Sequence, residues 1–459
     1  MNKIILNTLS SILLVLSIYY TSLLFICTER NLTILLSLLI ILTLSIGLYK
    51  NKITSPTNLL LLTSILFLSS RPLLSLIYPD KFNYKIADWF IYGEQLDNNI
   101  ISANLMLISM ILGYLLCFLI FKKDRKEIPP SVVIINKNIK IILAFVYILG
   151  SFSIITTGLH NWYIVQNQGY LSIYSSYAPP PFYLNKLTYL FYMGFFLTCA
   201  LIPKYRQNKI FLLISILICL FTILKGSRGE FITFFLTIIS IYFSEKKIKN
   251  ISLIFKMVFI FLLLFLVSEI ISMWRSNGDF VNLMSEHGNP IVNFTYGIGV
   301  SYLALTQAAE IAASNILPSI SSYYFLFSQP ILTASAVLNL DIDTTLISYS
   351  HFVSNYSNTI QYSEGAGLGG SYLSEAYLLG GFTACLIFSF LLMSIANYGY
   401  LKAKTDWKVF YLFYSSLPSL LFIPRETYFY YIPYIIKGAF VIVIFGLLIK
   451  KDCHEKSGS

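Results

Sequence analysis

Residues 224–231 read LKGSRGEF and set Lys225, Arg228 and Glu230 in a turn between two long apolar runs. Gly226 and Gly229 let the backbone bend tightly there and approach a ligand closely. Similar charges recur near the ends of other apolar runs: Arg71 in SSRPLL, Glu269 and Arg275 in SEIISMWRSNGDF, Glu375 in GGSYLSEAY, Arg425 and Glu426 in IPRETYFYY, and Lys437 in YIIKGAF. Arginine suits phosphate because its planar fork donates two parallel hydrogen bonds and stays charged when partly desolvated. An arginine or lysine at mid-membrane costs about 2.5 to 3.5 kcal/mol on insertion scales, so several on one side point to an anionic ligand or a wet cavity. Snorkelling and local ion pairs, Arg228 with Glu230 or Arg425 with Glu426, explain any one of these residues equally well. Arginines at three separate span ends favour the anion.

Proton transfer needs an acid or base nearby. Glu375 follows EGAGLGG and is shielded from water by the apolar residues around it, a position that suits a general base or a structural ion pair. GAGLGG is a formal GxGxxG, but no strand precedes it, so the dinucleotide reading is excluded. What remains is a glycine-rich entry into a helix, expected to point its N-terminus outward at an anion. Of the 4 histidines, His160, His287 and His351 are expected in outer loops and His454 in the tail, with His351 in SYSHFVSNYSN the catalytic alternative. Asp341 and Asp343 form a DxD of the kind that holds divalent metal in some sugar transferases, but so short a pattern recurs by chance and no metal site is expected. Tyrosines crowd YSSYAPPPFY, SSYYFLF and ETYFYYIPY, as interfacial belts do. Their excess within loops also suits stacking on sugar rings.

The elements that must carry these side chains are membrane helices. Of 459 residues 56% are hydrophobic and 12% charged, and the mean hydropathy is +0.72. Apolar runs of roughly 18 to 24 residues, each enough to cross ~30 Å of hydrocarbon, recur from end to end. The expected spans are 4–27, 32–49, 58–78, 100–121, 139–157, 186–203, 209–225, 230–244, 251–272, 370–400, 407–424 and 430–449, an all-α polytopic fold of about 12 transmembrane helices in one integral domain. The first run is too long for a signal-peptide core and reads as a retained helix. Residues 273–369 are expected to form a long outer loop with short amphipathic helices. Alternate connections, FKKDRKE, KYRQNK, EKKIK and KAKTDWK among them, hold most of the 32 lysines and arginines, so both termini are expected in the cytoplasm. LKGSRGEF then falls outside, where basic residues are scarce.

The net charge of +11 is spread over many short loops rather than one patch, which excludes nucleic acid. The 6 cysteines are scattered, mostly in apolar runs, with no CxxC, which argues against disulfides and zinc.

About a dozen spans, a long outer loop before the last few, GSRGEF opening a span, GLGGSYLSEAYLLGG and the late PRETYFYY together resemble the Wzy-type O-antigen or capsular polysaccharide polymerases. The resemblance implies a metal-independent, inverting membrane glycosyltransferase (GT-C-like) without cofactor, in the bacterial inner membrane. It implies undecaprenyl-pyrophosphate-linked oligosaccharides as donor and acceptor, a periplasmic active site, and a chain-length regulator as a further partner to test. Arg228, Arg275, Arg425, Lys225 and Arg71 would hold the pyrophosphate, and Glu375, His351 or Glu230 would take the acceptor proton. O-antigen ligases share this architecture. A lipid-linked oligosaccharide flippase is disfavoured because the long loop has no counterpart in the first half.

Overall fold

The computed structural model describes residues 28–78, 96–121, 135–168, 182–224, 228–244, 290–314, 316, 321–363 and 367–457. Every regular element among them is helical. Two of the expected spans, 4–27 and 251–272, lie outside the described residues. Each of the other ten falls on a helix. Among the described residues six helices are long and apolar enough to cross a membrane, and shorter apolar helices accompany them.

Contacts divide the chain into two units. The first comprises residues 1–125, 283–397 and 421–430, and the second 126–282, 398–420 and 431–459. In the first, α1 (Glu29–Lys50) starts where the Thr28 hydroxyl accepts the Asn31 N–H at 3.3 Å, and Glu29 complements the positive end of the helix. Helix α2 (Pro56–Ile77) starts with Ser55 as cap and Pro56 pre-set in φ. A π-helical turn over Ile65–Ser69 interrupts α2 just before Arg71. Such turns add a residue to the helix and commonly mark functional positions. Helix α3 (Leu96–Ile120) is buried over most of its length, and Lys50 closes its last turn by donating to the carbonyls of Leu119 at 3.3 Å and Phe121 at 2.8 Å.

In the second unit, α4 (Lys137–Gln168) packs closely on α5 (Phe182–Leu201). A Cβ on Gly150 would lie 2.0 Å from the Phe191 nitrogen, and one on Gly194 would lie 2.9 Å from the Tyr147 Cα, so small residues set this approach. Helix α4 runs past the expected end at 157 and carries His160, which is therefore helical rather than in a loop. Helices α6 (Lys209–Leu224) and α7 (Arg228–Ser244) follow. Buried Arg206 donates to the carbonyls of Cys199 at 2.7 Å and Ala200 at 3.3 Å, and its guanidinium lies 3.9 Å over the Phe410 ring. It serves as a fixed positive charge on the last carbonyls of α5.

Returning to the first unit, residues 290–363 form a run of short helices: α8 (Pro290–Ile298), α9 (Ser301–Ser314), α10 (Ser321–Leu326), α11 (Ser328–Leu338), α12 (Thr344–Ile347), α13 (Tyr349–Ser357) and α14 (Thr359–Ser363). Helix α9 is buried from Ser301 to Ala309 and packs on α3. Polar bonds between helices fix it: Tyr302 donates to Asn104 at 3.0 Å and Asn104 to Thr33 at 3.2 Å.

The expected single span 370–400 is corrected. Helix α15 (Tyr372–Ala403) breaks at Gly380 and Gly381, the latter at φ +64°, a conformation that glycine alone adopts at no cost. Tyr372 and Ser389 would lie roughly 25 Å apart along a straight helix. Instead their hydroxyls are 2.9 Å apart, and the Cys385 thiol donates to the Leu373 carbonyl at 3.5 Å. The arm 372–379 therefore folds back antiparallel on the arm from 382 onward, and its N-terminus points opposite to that of a continuous span. Helices α16 (Trp407–Phe422) and α17 (Ile432–Ser457) complete the chain, joined by the short turn Ile423–Arg425 and an irregular stretch.

Candidate functional site

The short arm of α15 carries Glu375, which is 0% exposed. Its Oε2 accepts the main-chain N–H of Tyr428 at 3.1 Å, while Oε1 is buried without a hydrogen-bond partner. A buried carboxylate oxygen with an unused lone pair is costly, and such exceptions call for an explanation in function. Ser374 beside it donates to the Ala304 carbonyl at 3.1 Å, tying the arm to α9. Tyr349 of α13 donates to the same carbonyl at 2.6 Å. Burial pushes its phenol well above the ordinary value, so it remains a neutral donor.

The glycine-rich stretch before this arm runs beside Arg425. Gly369 has φ +75°, and a Cβ there would stand 3.7 Å from the Arg425 Nε. The glycine thus keeps open a space that a side chain would take up, against a guanidinium. Gly370 lies against Ser350, and the Leu368 N–H donates to the Ser354 hydroxyl at 3.1 Å, so α13 supports the loop from the other side. Glycine, arginine and carboxylate are thereby gathered in one unit from residues 367–375 and 425–428.

Arg71 leaves α2 just after the π turn. Its Nε donates to the Tyr296 carbonyl at 3.2 Å and its guanidinium lies 4.0 Å over the Tyr296 ring. That ring fixes the plane of the guanidinium. The π turn itself meets the Ile423–Arg425 turn, and Phe67 packs edge-on against Phe422 at 5.7 Å. Arg71 and Arg425 therefore belong to neighbouring turns. Ser69, Ser70 and Thr427, in or just after these turns, hold buried hydroxyls without partners, as does Ser301 at the start of α9. Most serines and threonines of the apolar helices bond a carbonyl three or four residues back, as Thr43 and Ser64 do, and these four share the exception with Thr157, Ser240, Ser328 and Ser357. The sequence contexts SSRP, GVSYL and RET carry no such signal.

Lys225 and Arg275 lie outside the described residues. Arg228 is the first residue of α7 and Glu230 stands in its first turn, both in the second unit. His351 faces Tyr362, its Nδ1 3.0 Å from the phenol oxygen, and burial holds its pKa below the ordinary value. Asp343 caps α12: one carboxylate oxygen accepts the Thr345 N–H at 2.9 Å and the Thr345 hydroxyl at 2.6 Å. Those bonds hold its pKa below the usual carboxylate range. The DxD thus contains a helix cap, which by itself accounts for Asp343.

What this arrangement offers is a fixed cation beside an open glycine turn and a shielded carboxylate with one oxygen uncommitted, all within an apolar helical protein. No curated protein and no solved structure matches the chain. Residues 3–456 match the family model described as O-antigen polysaccharide polymerase Wzy. That match takes in nearly the whole chain, and so the chain belongs to the O-antigen polysaccharide polymerase Wzy family.

Proposed function

We propose that the protein joins undecaprenyl-pyrophosphate-linked oligosaccharide units into O-antigen or capsular polysaccharide at the periplasmic face of the inner membrane, by an inverting, metal-independent transfer. Membership of the polymerase family supports the overall reaction. The single observation that carries the residue assignment is the Glu375 carboxylate, with Oε2 tied to Tyr428 N–H and Oε1 unpaired.

In this reading an acceptor sugar hydroxyl attacks the anomeric carbon of the donor sugar. The new C–O bond forms as the bond from that carbon to the pyrophosphate oxygen breaks, and the electron pair stays on the pyrophosphate. Glu375 Oε1 takes the hydroxyl proton. Arg425, with Arg71 in the adjoining turn, meets the negative charge that grows on the leaving group, and fixed cations aimed at developing charge are the largest catalytic lever of this type. Inversion follows from attack opposite the leaving group. Glu375 is closed off from solvent, so this reading requires the glycine stretch 367–371 to move aside to admit the acceptor. Lipid pyrophosphate already stores the activation, so no nucleotide is required.

Deletion of the gene followed by a gel of surface polysaccharide tests the reaction. A polymerase loss leaves core carrying one repeat unit. Uncapped core with accumulated polymer would indicate a ligase, and lipid-linked units stalled in the cytoplasmic leaflet would indicate a flippase.

A further inference from the structure

Four buried hydroxyls run in a chain through the first unit. Ser64 of α2 lies 2.9 Å from Tyr114 of α3, Tyr114 lies 3.0 Å from Tyr372 on the short arm of α15, and Tyr372 lies 2.9 Å from Ser389 on the long arm. At the ends, Ser64 is within 2.8 Å of the Leu60 carbonyl and Ser389 within 2.6 Å of the Cys385 carbonyl. These are five contacts, yet the four hydroxyls carry only four protons. One contact must go without. The two end carbonyls lie in helices whose main-chain N–H groups already serve them, so an end bond is the one least costly to release. The bond between the tyrosines then keeps its proton.

We infer that Tyr114 and Tyr372 are positioning residues for Glu375, their paired hydroxyls fixing the short arm of α15 so that the carboxylate stands in register with the Tyr428 N–H. Tyr372 is one helical turn before Glu375 and its ring lies 6.1 Å from that of Tyr428, so the tyrosine pair and the carboxylate bond the same short arm to different neighbours. An arm of two turns has little helical stability of its own and takes its position from such tertiary bonds. This inference rests on Glu375 acting as the base.

The proton count makes the test selective. In Tyr114→Phe and in Tyr372→Phe every remaining hydroxyl keeps a partner, so both variants fold with melting temperatures close to wild type. In Ser64→Ala the chain runs Tyr114 to Tyr372 to Ser389 to carbonyl with a proton for each contact, and the tyrosine bond survives. With the purified protein in proteoliposomes and undecaprenyl-pyrophosphate-linked repeat unit as substrate, either tyrosine variant should lose roughly tenfold or more in kcat with KM unchanged, as displacement of a reacting group does. The double variant should be no slower than the singles, because all three lack the same bond. Ser64→Ala should turn over like wild type. Wild-type kcat in both tyrosine variants, or additive losses in the double variant, overturns the positioning role, as does a loss confined to protein level and melting temperature. Glu375→Gln run alongside separates the two claims: if it is inactive while the tyrosine variants are normal, only the positioning role fails, and if it is active, the base assignment falls and the positioning role with it.

Discussion

Glu375 and Tyr428 are joined across 53 residues of sequence by a 3.1 Å bond from a main-chain N–H to a carboxylate oxygen. The bond links the folded-back arm of α15 to the irregular stretch that follows Arg425. Glu375 sits on a two-turn helical arm, and Tyr428 lies outside regular helix. Unpaired main-chain groups are tolerated within an apolar helical protein only where they meet other protein groups or line a cavity, and here the Tyr428 N–H is spent on the carboxylate. The residue that we assign as base is therefore oriented by the same break in helical structure that brings Arg425 to the glycine turn.

Arg425 is expected to be sensitive to shape as well as charge. If it meets the pyrophosphate with two parallel donors, Arg425→Lys keeps the charge and loses the fork. Both Arg425→Lys and Arg425→Ala should then cost on the order of 3 kcal/mol in the transition state, about a hundredfold in rate. Polymer ladders measured at equal membrane abundance check this, and full-length polymer from Arg425→Lys would remove Arg425 from the phosphate site.

Arg228 is tested in the second unit on its own terms. As a phosphate ligand it should tolerate lysine hardly better than alanine, with protein abundance unchanged. As a structural partner of Glu230 it should instead be matched by Glu230→Gln, both lowering abundance. Quantitation of membrane protein beside polymer ladders distinguishes these outcomes.

Much of this fold is legible in the sequence, because a helix that crosses hydrocarbon needs a long apolar run and little else. The ten expected spans that fall on described residues each found a helix. The reversal in α15 was not legible. YLLGGFTACLIF stays apolar through the break and paired glycines also occur within membrane helices, so the reversal shows only in three dimensions, where Tyr372 meets Ser389 and the Cys385 thiol meets the Leu373 carbonyl. Arg71, Arg425 and Glu375 were legible because charge is rare in such a setting. Tyr428 was not, since its contribution is a main-chain N–H that any residue but proline carries. Likewise the π turn before Arg71 leaves no mark in ILFLS.

Asp341 and Asp343 should be dispensable for the reaction. Asp343→Ala removes the cap of α12 and is expected to lower the melting temperature slightly, while Asp341→Ala with Asp343→Ala leaves polymer length unchanged. Chelator should not slow the purified enzyme. Loss of activity by both treatments would establish a metal-dependent step.

His351 links stability to pH. Burial lowers its pKa in the folded protein, so between that value and the ordinary ~6.5 the unfolded chain binds more protons. Stability is then full above about pH 6.5 and falls as the pH drops below it. His351→Gln should flatten this acid limb of the melting temperature in detergent. An unchanged acid limb would show that other groups cause it.

The most direct measurement follows two products at once: purified protein in proteoliposomes is given undecaprenyl-pyrophosphate-linked repeat unit, and glycan length and free undecaprenyl pyrophosphate are both quantified. The proposed reaction releases one undecaprenyl pyrophosphate for each new glycosidic bond, and Glu375→Gln abolishes both products at normal protein abundance. Release of lipid pyrophosphate without glycan growth, movement of the substrate across the bilayer without either product, or wild-type polymer from Glu375→Gln would contradict it.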